Sequence, residues 1–245
     1  MKADQTTRIF PFDKYEEIAK KSDKTTYIPV YLQIAEPAVE PAGIFAAMSP
    51  TRGFLLESME GIPKRAVRSI IGCNPLATLS ISDTCTISGQ DASVFSTLLS
   101  KEDIRSPTDA IRAILSGISA FSPENSTFSG GMAGYCRYDL IRHITRGMVQ
   151  AAGEEGPVIR FIIPGDLIIF DHVTHSCLLI AGTITGPGDD LSTKYSDAVK
   201  RIQKLHDEIT HPKKRNGIPP ITKEKFILPE HDKETYEQSV LKALE

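Results

Sequence analysis

The stretch Gly53-Phe54-Leu55-Leu56-Glu57-Ser58 decides how the chain is read. Phe54, Leu55 and Leu56 form a short unbroken apolar run, the pattern of a strand buried in a sheet covered on both faces. Glu57 and Ser58 follow at once, ahead of the turn signal Glu60-Gly61-Ile62-Pro63. A carboxylate at the end of a buried strand is costly unless it meets a cation or several donors. Glu57 is therefore expected either to turn out to water or to find a charged partner.

The rest of the chain bounds the answer. Its 245 residues suffice for one large domain or two small ones. A hydrophobic content of 40% and a charged content of 24% describe an ordinary globular protein. A net charge of −3 without a dense basic face argues against a nucleic-acid partner. Met1-Lys2-Ala3-Asp4-Gln5 lacks the apolar core of a signal peptide, and no apolar run approaches a membrane span, so a cytoplasmic protein with no membrane partner is expected. Cys73, Cys85, Cys136 and Cys177 are scattered without a Cys-x-x-Cys pair, which argues for reduced thiols and against structural zinc.

Patterning predicts closely spaced strands with a few helices. A helix is expected over 13–22 with Asp13 as N-cap, then a strand over 25–34 in which Pro29 marks an edge or a strand start. Strands follow over 43–48, 54–58, 66–73 and 76–81, the last entering a hairpin at Ser82-Asp83. Ser106-Pro107, with Asp109 in the first turn, opens a helix running to Phe121. Strands over 166–170 and 177–183 share a hairpin. Tyr195, Ala198, Ile202, Leu205 and Ile209 form the stripe of a helix over 192–209, with His206 off that stripe and facing solvent. His211 to Pro220, basic and rich in proline, reads as a linker. Asp232 caps a last amphipathic segment carrying Tyr236, Val240, Leu241 and Leu244.

No catalytic apparatus emerges from the spacing. Gly130, Gly131 and Gly134 lack the Lys-Ser/Thr of a phosphate loop and the Gly-x-Gly-x-x-Gly of a dinucleotide fold; they suit a close backbone approach. Asp171-His172-Val173-Thr174-His175 invites a metal reading, but its histidines are three apart on a hairpin tip, which favours a solvated turn. Glu154-Glu155 and Asp189-Asp190 lie in polar surroundings that would not raise a carboxyl pKa. Neither a catalytic residue nor a metal ligand is assigned.

Three blocks in order carry a resemblance. Leu55-Leu56-Glu57-Ser58 with Glu60-Gly61, then Ser69-Ile70-Ile71-Gly72 and Asn74-Pro75, is one. Phe128-Ser129-Gly130-Gly131-Met132-Ala133-Gly134-Tyr135-Cys136-Arg137-Tyr138-Asp139 is the second, and Pro164-Gly165-Asp166-Leu167-Ile168-Ile169-Phe170-Asp171-His172 the third. Together they resemble the N-terminal half of anthranilate synthase component I. Where that family often has Gly-Arg-Tyr-Ser, this chain has Ala66-Val67-Arg68-Ser69, so its arginine lies one place later, on the other face of a strand, and no role passes to Arg68.

The resemblance implies an α+β fold, a mostly antiparallel orthogonal β-sandwich with flanking helices. It implies an N-terminal regulatory and assembly domain over 1–210, a linker over 211–231, and over 232–245 the start of a chorismate-binding catalytic domain. In the family, chorismate and ammonia from glutamine give anthranilate and pyruvate, and both the magnesium site and the acid–base groups lie in the C-terminal half. No cofactor is therefore expected in this chain, and whether it acts alone as an enzyme stays open. Leu55, Leu56, Glu57 and Ser58 would form one wall of the feedback site for tryptophan. Glu57 would pair with the ammonium, Ser58 would offer a hydroxyl, and the leucines would meet the indole. The family's opposing wall is an Asn-Pro-Ser-Pro-Tyr-Met segment, which Asn74-Pro75-Leu76 is not. The second block would pack in the core and help form the surface for the glutamine amidotransferase, component II. An apolar face left without its other domain would favour self-association. The alternatives are aminodeoxychorismate synthase component I or another chorismate-using enzyme, and a free-standing module that binds an amino acid or a partner.

Overall fold

The computed structural model describes residues 9–48, 50–57, 67–82, 84–100, 104–122, 130–141, 156–212 and 232–244. The chain divides into two compact units, Met1–Lys213 and Lys214–Glu245.

The first unit mixes helix and sheet. In chain order its elements are α1 (Phe12–Lys21), β1 (Thr26–Ala35), α2 (Pro41–Met48), β2 (Gly53–Glu57), β3 (Arg68–Cys73), β4 (Ala77–Ile81), β5 (Cys85–Ser88), α3 (Ala92–Ser100), α4 (Pro107–Gly117), β6 (Ser119–Ala120), β7 (Ala133–Cys136), β8 (Ile159–Ile163), β9 (Asp166–Asp171), β10 (Ser176–Thr185) and α5 (Leu191–Thr210). The strands form a six-stranded sheet in the order β2-β3-β9-β10-β1-β6 and a four-stranded sheet in the order β5-β4-β8-β7. The pairings are antiparallel except for the short parallel contact of β1 with β6.

Two of the crossings between the sheets lie at adjoining corners, 74–76 and 164–165. The Gly165 N–H donates to the Asn74 carbonyl at 3.1 Å, and the Leu76 N–H to the Ile163 carbonyl at 2.8 Å. Asn74 turns its corner at φ 46°, a left-handed conformation that asparagine tolerates better than most residues.

One face of the larger sheet carries the main core. Ile28, Val30, Ile71, Ile168, Phe170 and Leu179 pack against Tyr15 of α1, Ile44 of α2 and the Ala198, Ile202, Leu205 and Ile209 stripe of α5. That stripe is the 3.6-residue period read from the sequence. Inside this core the Tyr15 hydroxyl and Thr183 Oγ1 lie 3.0 Å apart, a bond worth about 1 kcal/mol net. A second core, with Leu79, Ile81, Phe95, Ile114 and Ile159, joins the smaller sheet to α3 and α4.

Several expectations are corrected. Residues 43–48 form part of a helix, not a strand: Pro41 stands in the first helical turn, Ala42, Ala46 and Ala47 favour helix, and a short apolar run does not distinguish the two. α1 has Pro11, not Asp13, at its N-cap; Asp13 sits in the first turn, where a carboxylate suits the helix dipole. The helix that Ser106 caps, accepting from the Asp109 N–H at 3.3 Å, stops at Gly117 because Ser119 then pairs with β1. α3 was not anticipated, although Val94, Phe95, Leu98 and Leu99 carry a helical stripe. Among the described residues β6 reaches only Thr26 and Tyr27, so none of them pairs with Pro29 on that flank. His206 is half-buried, not fully turned to solvent.

In the second unit, α6 (Lys233–Leu244) opens with Asp232, whose carboxylate accepts from the Thr235 N–H at 2.8 Å. Tyr236, Val240, Leu241 and Leu244 are exposed on it. Most of the linker expected over 211–231 lies outside the described residues, as does Ser58.

Candidate functional site

β2 is an edge strand. Among the described residues it pairs only with β3, in the register Leu55↔Ile71, Leu56↔Ile70 and Glu57↔Ser69. The expectation of a strand buried on both faces is therefore corrected: Leu56 is 52% exposed and Glu57 is exposed. An apolar triplet mimics a buried strand here because the strand is short and only one of its lateral flanks is paired. Successive side chains alternate, so Leu55 and Glu57 point to the helix-covered face while Leu56 points to the other, beside Phe54 and Ile70. Leu55 packs against the main core. Gly72 makes room for the Phe54 ring, which a Cβ there would strike.

Among the described residues, Glu57 is neither isolated nor matched with a cation. Its Oε1 accepts from the Ser69 hydroxyl at 3.2 Å. Ser69, fully buried, lies 2.8 Å from His172 Nε2. On its other side His172 places Nδ1 2.6 Å from Glu36 Oε1, and His175 Nδ1 lies 2.9 Å from Glu36 Oε2. Five side chains from four stretches of sequence thus form one line, Glu57–Ser69–His172–Glu36–His175, at one end of the six-stranded sheet. The topology builds it: β2, β3 and β9 are neighbours, β9 turns into β10 through His172 to His175, and β10 pairs with β1, which ends beside Glu36. The His172 N–H donates to the Val67 carbonyl at 3.0 Å and its ring stacks on Phe170, centroids 6.2 Å apart.

The charges at this end are held low. The carboxyl of Glu36 lies below the usual range because His175, and then His172, hydrogen-bonds the ionised form. Asp171 is depressed chiefly by the Thr174 N–H, with the Val173 N–H and the Arg68 guanidinium adding to it; Arg68 Nε is 3.4 Å away. Arg68 and Asp171 are cross-strand partners one register step from Ser69 and so face away from the line.

The hairpin tip read as a solvated turn thus has His172 half-buried with three partners. Spacing alone does not bring Glu36 or Ser69 to it; the signal lay in the clustering of polar residues at four strand ends. Among the described residues no group of three or more His, Cys, Asp or Glu side chains is placed to hold a metal ion. Cys73 and Cys177 are buried, their thiols pushed up to about 12 by desolvation; Cys85 is half-buried and Cys136 exposed, all four unpaired with one another.

The glycine-rich block forms the other edge of interest. A Cβ at Gly134 would overlap the Arg160 carbonyl of β8, which is the close approach the sequence suggested. The core role expected for its tyrosines is corrected: Tyr135 is 49% and Tyr138 84% exposed, because β7 is the edge of the smaller sheet. Met132 of this block and Leu140 just beyond it pack on the second core.

No protein-family profile matches the chain. It is 28% identical over 199 residues to "Anthranilate synthase component 1" of Acetivibrio thermocellus, covering 79% of this chain and 38% of that protein. It is 29% identical over 182 residues to the protein of the same name from Streptomyces coelicolor, covering 73% and 30%. It is 30% identical over 162 residues to that of Acinetobacter calcoaceticus, covering 62% and 32%. The crystal structure of anthranilate synthase component I from Streptococcus pneumoniae TIGR4 aligns over 74% of this chain and 37% of that one, with 19% identity and a TM-score of 0.37. The chain spans about a third of the length of the curated relatives it matches. Over most of its own length, it is similar to anthranilate synthase component 1.

Proposed function

We propose that this chain is the N-terminal, regulatory part of an anthranilate synthase component I. The observation that carries the reading is the match of most of the chain to proteins of that name from several organisms. The activity itself, chorismate and ammonia to anthranilate and pyruvate with magnesium, belongs in this reading to the catalytic half that the family carries C-terminally. The two sheets, joined at the corners 74–76 and 164–165, are taken as an orthogonal sandwich, because strands that change sheet at bends are how such packings turn.

Tryptophan is proposed to bind at the end of β2, against Leu55, Leu56, Glu57 and Ser58. Two features support this. Glu57 is an exposed carboxylate held on one side by a buried hydroxyl, with its second oxygen left to accept from an ammonium. Among the described residues β2 is the last strand of its sheet, so a ligand astride it would reach Leu56 on one face and Glu57 on the other. Tryptophan would then inhibit by binding one arrangement of the two halves better than the other. The exposed Tyr135 and Tyr138 at the edge of the smaller sheet favour that surface for the amidotransferase component, since aromatic side chains are enriched at interfaces.

The test uses a polypeptide in which this chain is continuous with its catalytic half. Turnover of chorismate and ammonia should yield anthranilate; aminodeoxychorismate would assign the relative that makes it. Glu57→Ala should raise the tryptophan concentration for half inhibition roughly 10-fold or more, the loss of one charge-assisted bond. Unchanged inhibition would remove Glu57 from the site.

A further inference from the structure

We propose that Ser69 and His172 form a proton-operated positioning device for Glu57, in which protonation of His172 at Nε2 turns the Ser69 hydroxyl proton toward the Glu57 carboxylate. Its consequence for an ammonium ligand rests on the reading of Glu57 given above; the device itself does not.

Proton bookkeeping along the line carries the inference. Glu36 is ionised, and its Oε1 lies 2.6 Å from His172 Nδ1, a separation that needs a proton between them. Nδ1 therefore carries hydrogen in both charge states of the ring. In neutral His172 the proton is then absent from Nε2, which becomes an acceptor. The Ser69 hydroxyl, 2.8 Å away, donates to it. A hydroxyl has one proton, so Ser69 then presents only lone pairs to Glu57 Oε1 at 3.2 Å, and that contact is repulsive. In the imidazolium, Nε2–H donates to Ser69 Oγ, and the hydroxyl proton turns to Glu57 and holds its carboxylate. One proton added at His172 thus reverses one hydrogen bond and creates another. Ser69 is fully buried, so its hydroxyl proton is divided between these two neighbours and not shared with bulk water.

The other groups around His172 define its field. Glu36 at the end of β1 faces Nδ1, His175 shares that carboxylate, and the buried Cys177 thiol is neutral. Arg68 and Asp171 neutralise one another on the opposite face. Phe170 covers the ring on one side. Among these, Glu57 reaches His172 by way of Ser69, so coupling between them is diagnostic.

The experiment is a histidine-ring NMR titration of the 245-residue chain. Glu57→Gln should lower the His172 midpoint by roughly half a pH unit, since the carboxylate that rewards the imidazolium arrangement is gone. In a Ser69→Ala background the same Glu57→Gln change should move the midpoint by less than about 0.1 unit, because the hydroxyl transmits the effect. An unchanged or raised midpoint in Glu57→Gln overturns the device. So does a shift that survives in Ser69→Ala, which would be a field acting through space, and so does a ring that does not titrate between pH 5 and 9. Should Ser69→Ala not fold, Ser69→Cys, whose thiol is a weak donor and acceptor, takes its place, and the Glu57→Gln shift should shrink there too. L-Tryptophan binding to the polypeptide in which this chain is continuous with its catalytic half is then followed against pH: affinity should fall as pH rises through the His172 midpoint, and Ser69→Ala should flatten that profile. Coupling without tryptophan binding overturns the ligand reading and leaves the device; binding without coupling overturns the device.

Discussion

β9 carries polar groups at both ends, and the two ends are built on opposite terms. At its start, Asp166 is 1% exposed and faces fixed partners: Asn74 Nδ2 donates to Oδ2 at 2.7 Å, and Arg201 Nη1 lies 3.3 Å from Oδ1. Arg201 is anchored in turn by donating from Nη2 to the Gly182 carbonyl at 2.5 Å. Burial pushes the Asp166 pKa up, and Arg201 and then Asn74 push back. At its finish, Asp171 and His172 are near water, and the carboxylates there are depressed by hydrogen bonds. The pH signs differ accordingly. A carboxyl with a raised folded pKa costs stability as pH rises through that pKa; a depressed one contributes stability above the unfolded value that is lost as pH falls. The comparison teaches that one end of a strand can be spent on holding a corner while the other keeps a proton free to move.

The largest expected effect tests the holding end. Arg201→Met leaves Asp166 buried without its cation, and urea unfolding at pH 7 should show a loss of about 3–5 kcal/mol. The substitution raises the folded pKa of Asp166 further, so protonation relieves the penalty and the loss should be smaller at pH 4 than at pH 7. A cost below about 1 kcal/mol at both pH values would erase the contrast between the two ends.

Asn74→Ala comes next. It removes a hydrogen bond to a buried carboxylate and places an alanine at φ 46°, for a combined loss of about 1–3 kcal/mol in the same assay. Asn74→Gly keeps the backbone freedom and lacks the amide, so it should recover part of the loss. Equal costs for the two variants would assign the effect to the hydrogen bond alone.

The holding end and the responsive end differed in how far the sequence announced them. The α5 stripe, the Ser106 cap, the β9–β10 hairpin and the close approach at Gly134 were legible, because each is set by residues within a few positions of one another. β2 was read as buried because Phe54-Leu55-Leu56 carries no sign of how many neighbours the strand has. α2 was read as a strand because six apolar residues fit either period. Glu57 stood out as a carboxylate needing a partner, but the partner was Ser69, buried and uncharged, and behind it His172 and Glu36. Those residues lie 12, 103 and 136 positions apart along the line, and only strand order brings them together. The same holds for Asp166 and Asn74, 92 positions apart.

The smallest expected effect falls on Glu57 itself. Its carboxylate is exposed, it takes one 3.2 Å bond from Ser69, and its strand is held by pairing and by Leu55 rather than by its own side chain. Surface substitutions of that kind stay within about 0.5 kcal/mol, so Glu57→Gln should leave the urea midpoint at pH 7 almost where it was. The prediction sharpens the contrast because Glu57→Gln and Arg201→Met each remove one charge, the first from an edge strand of the larger sheet and the second from α5, yet their costs should differ by at least about 2 kcal/mol. A loss above about 2 kcal/mol in Glu57→Gln would mean that the edge of β2 is locked by its acid, as the Asp166 corner is locked by its arginine. A group that costs the fold almost nothing to change is free to be chosen for what it binds.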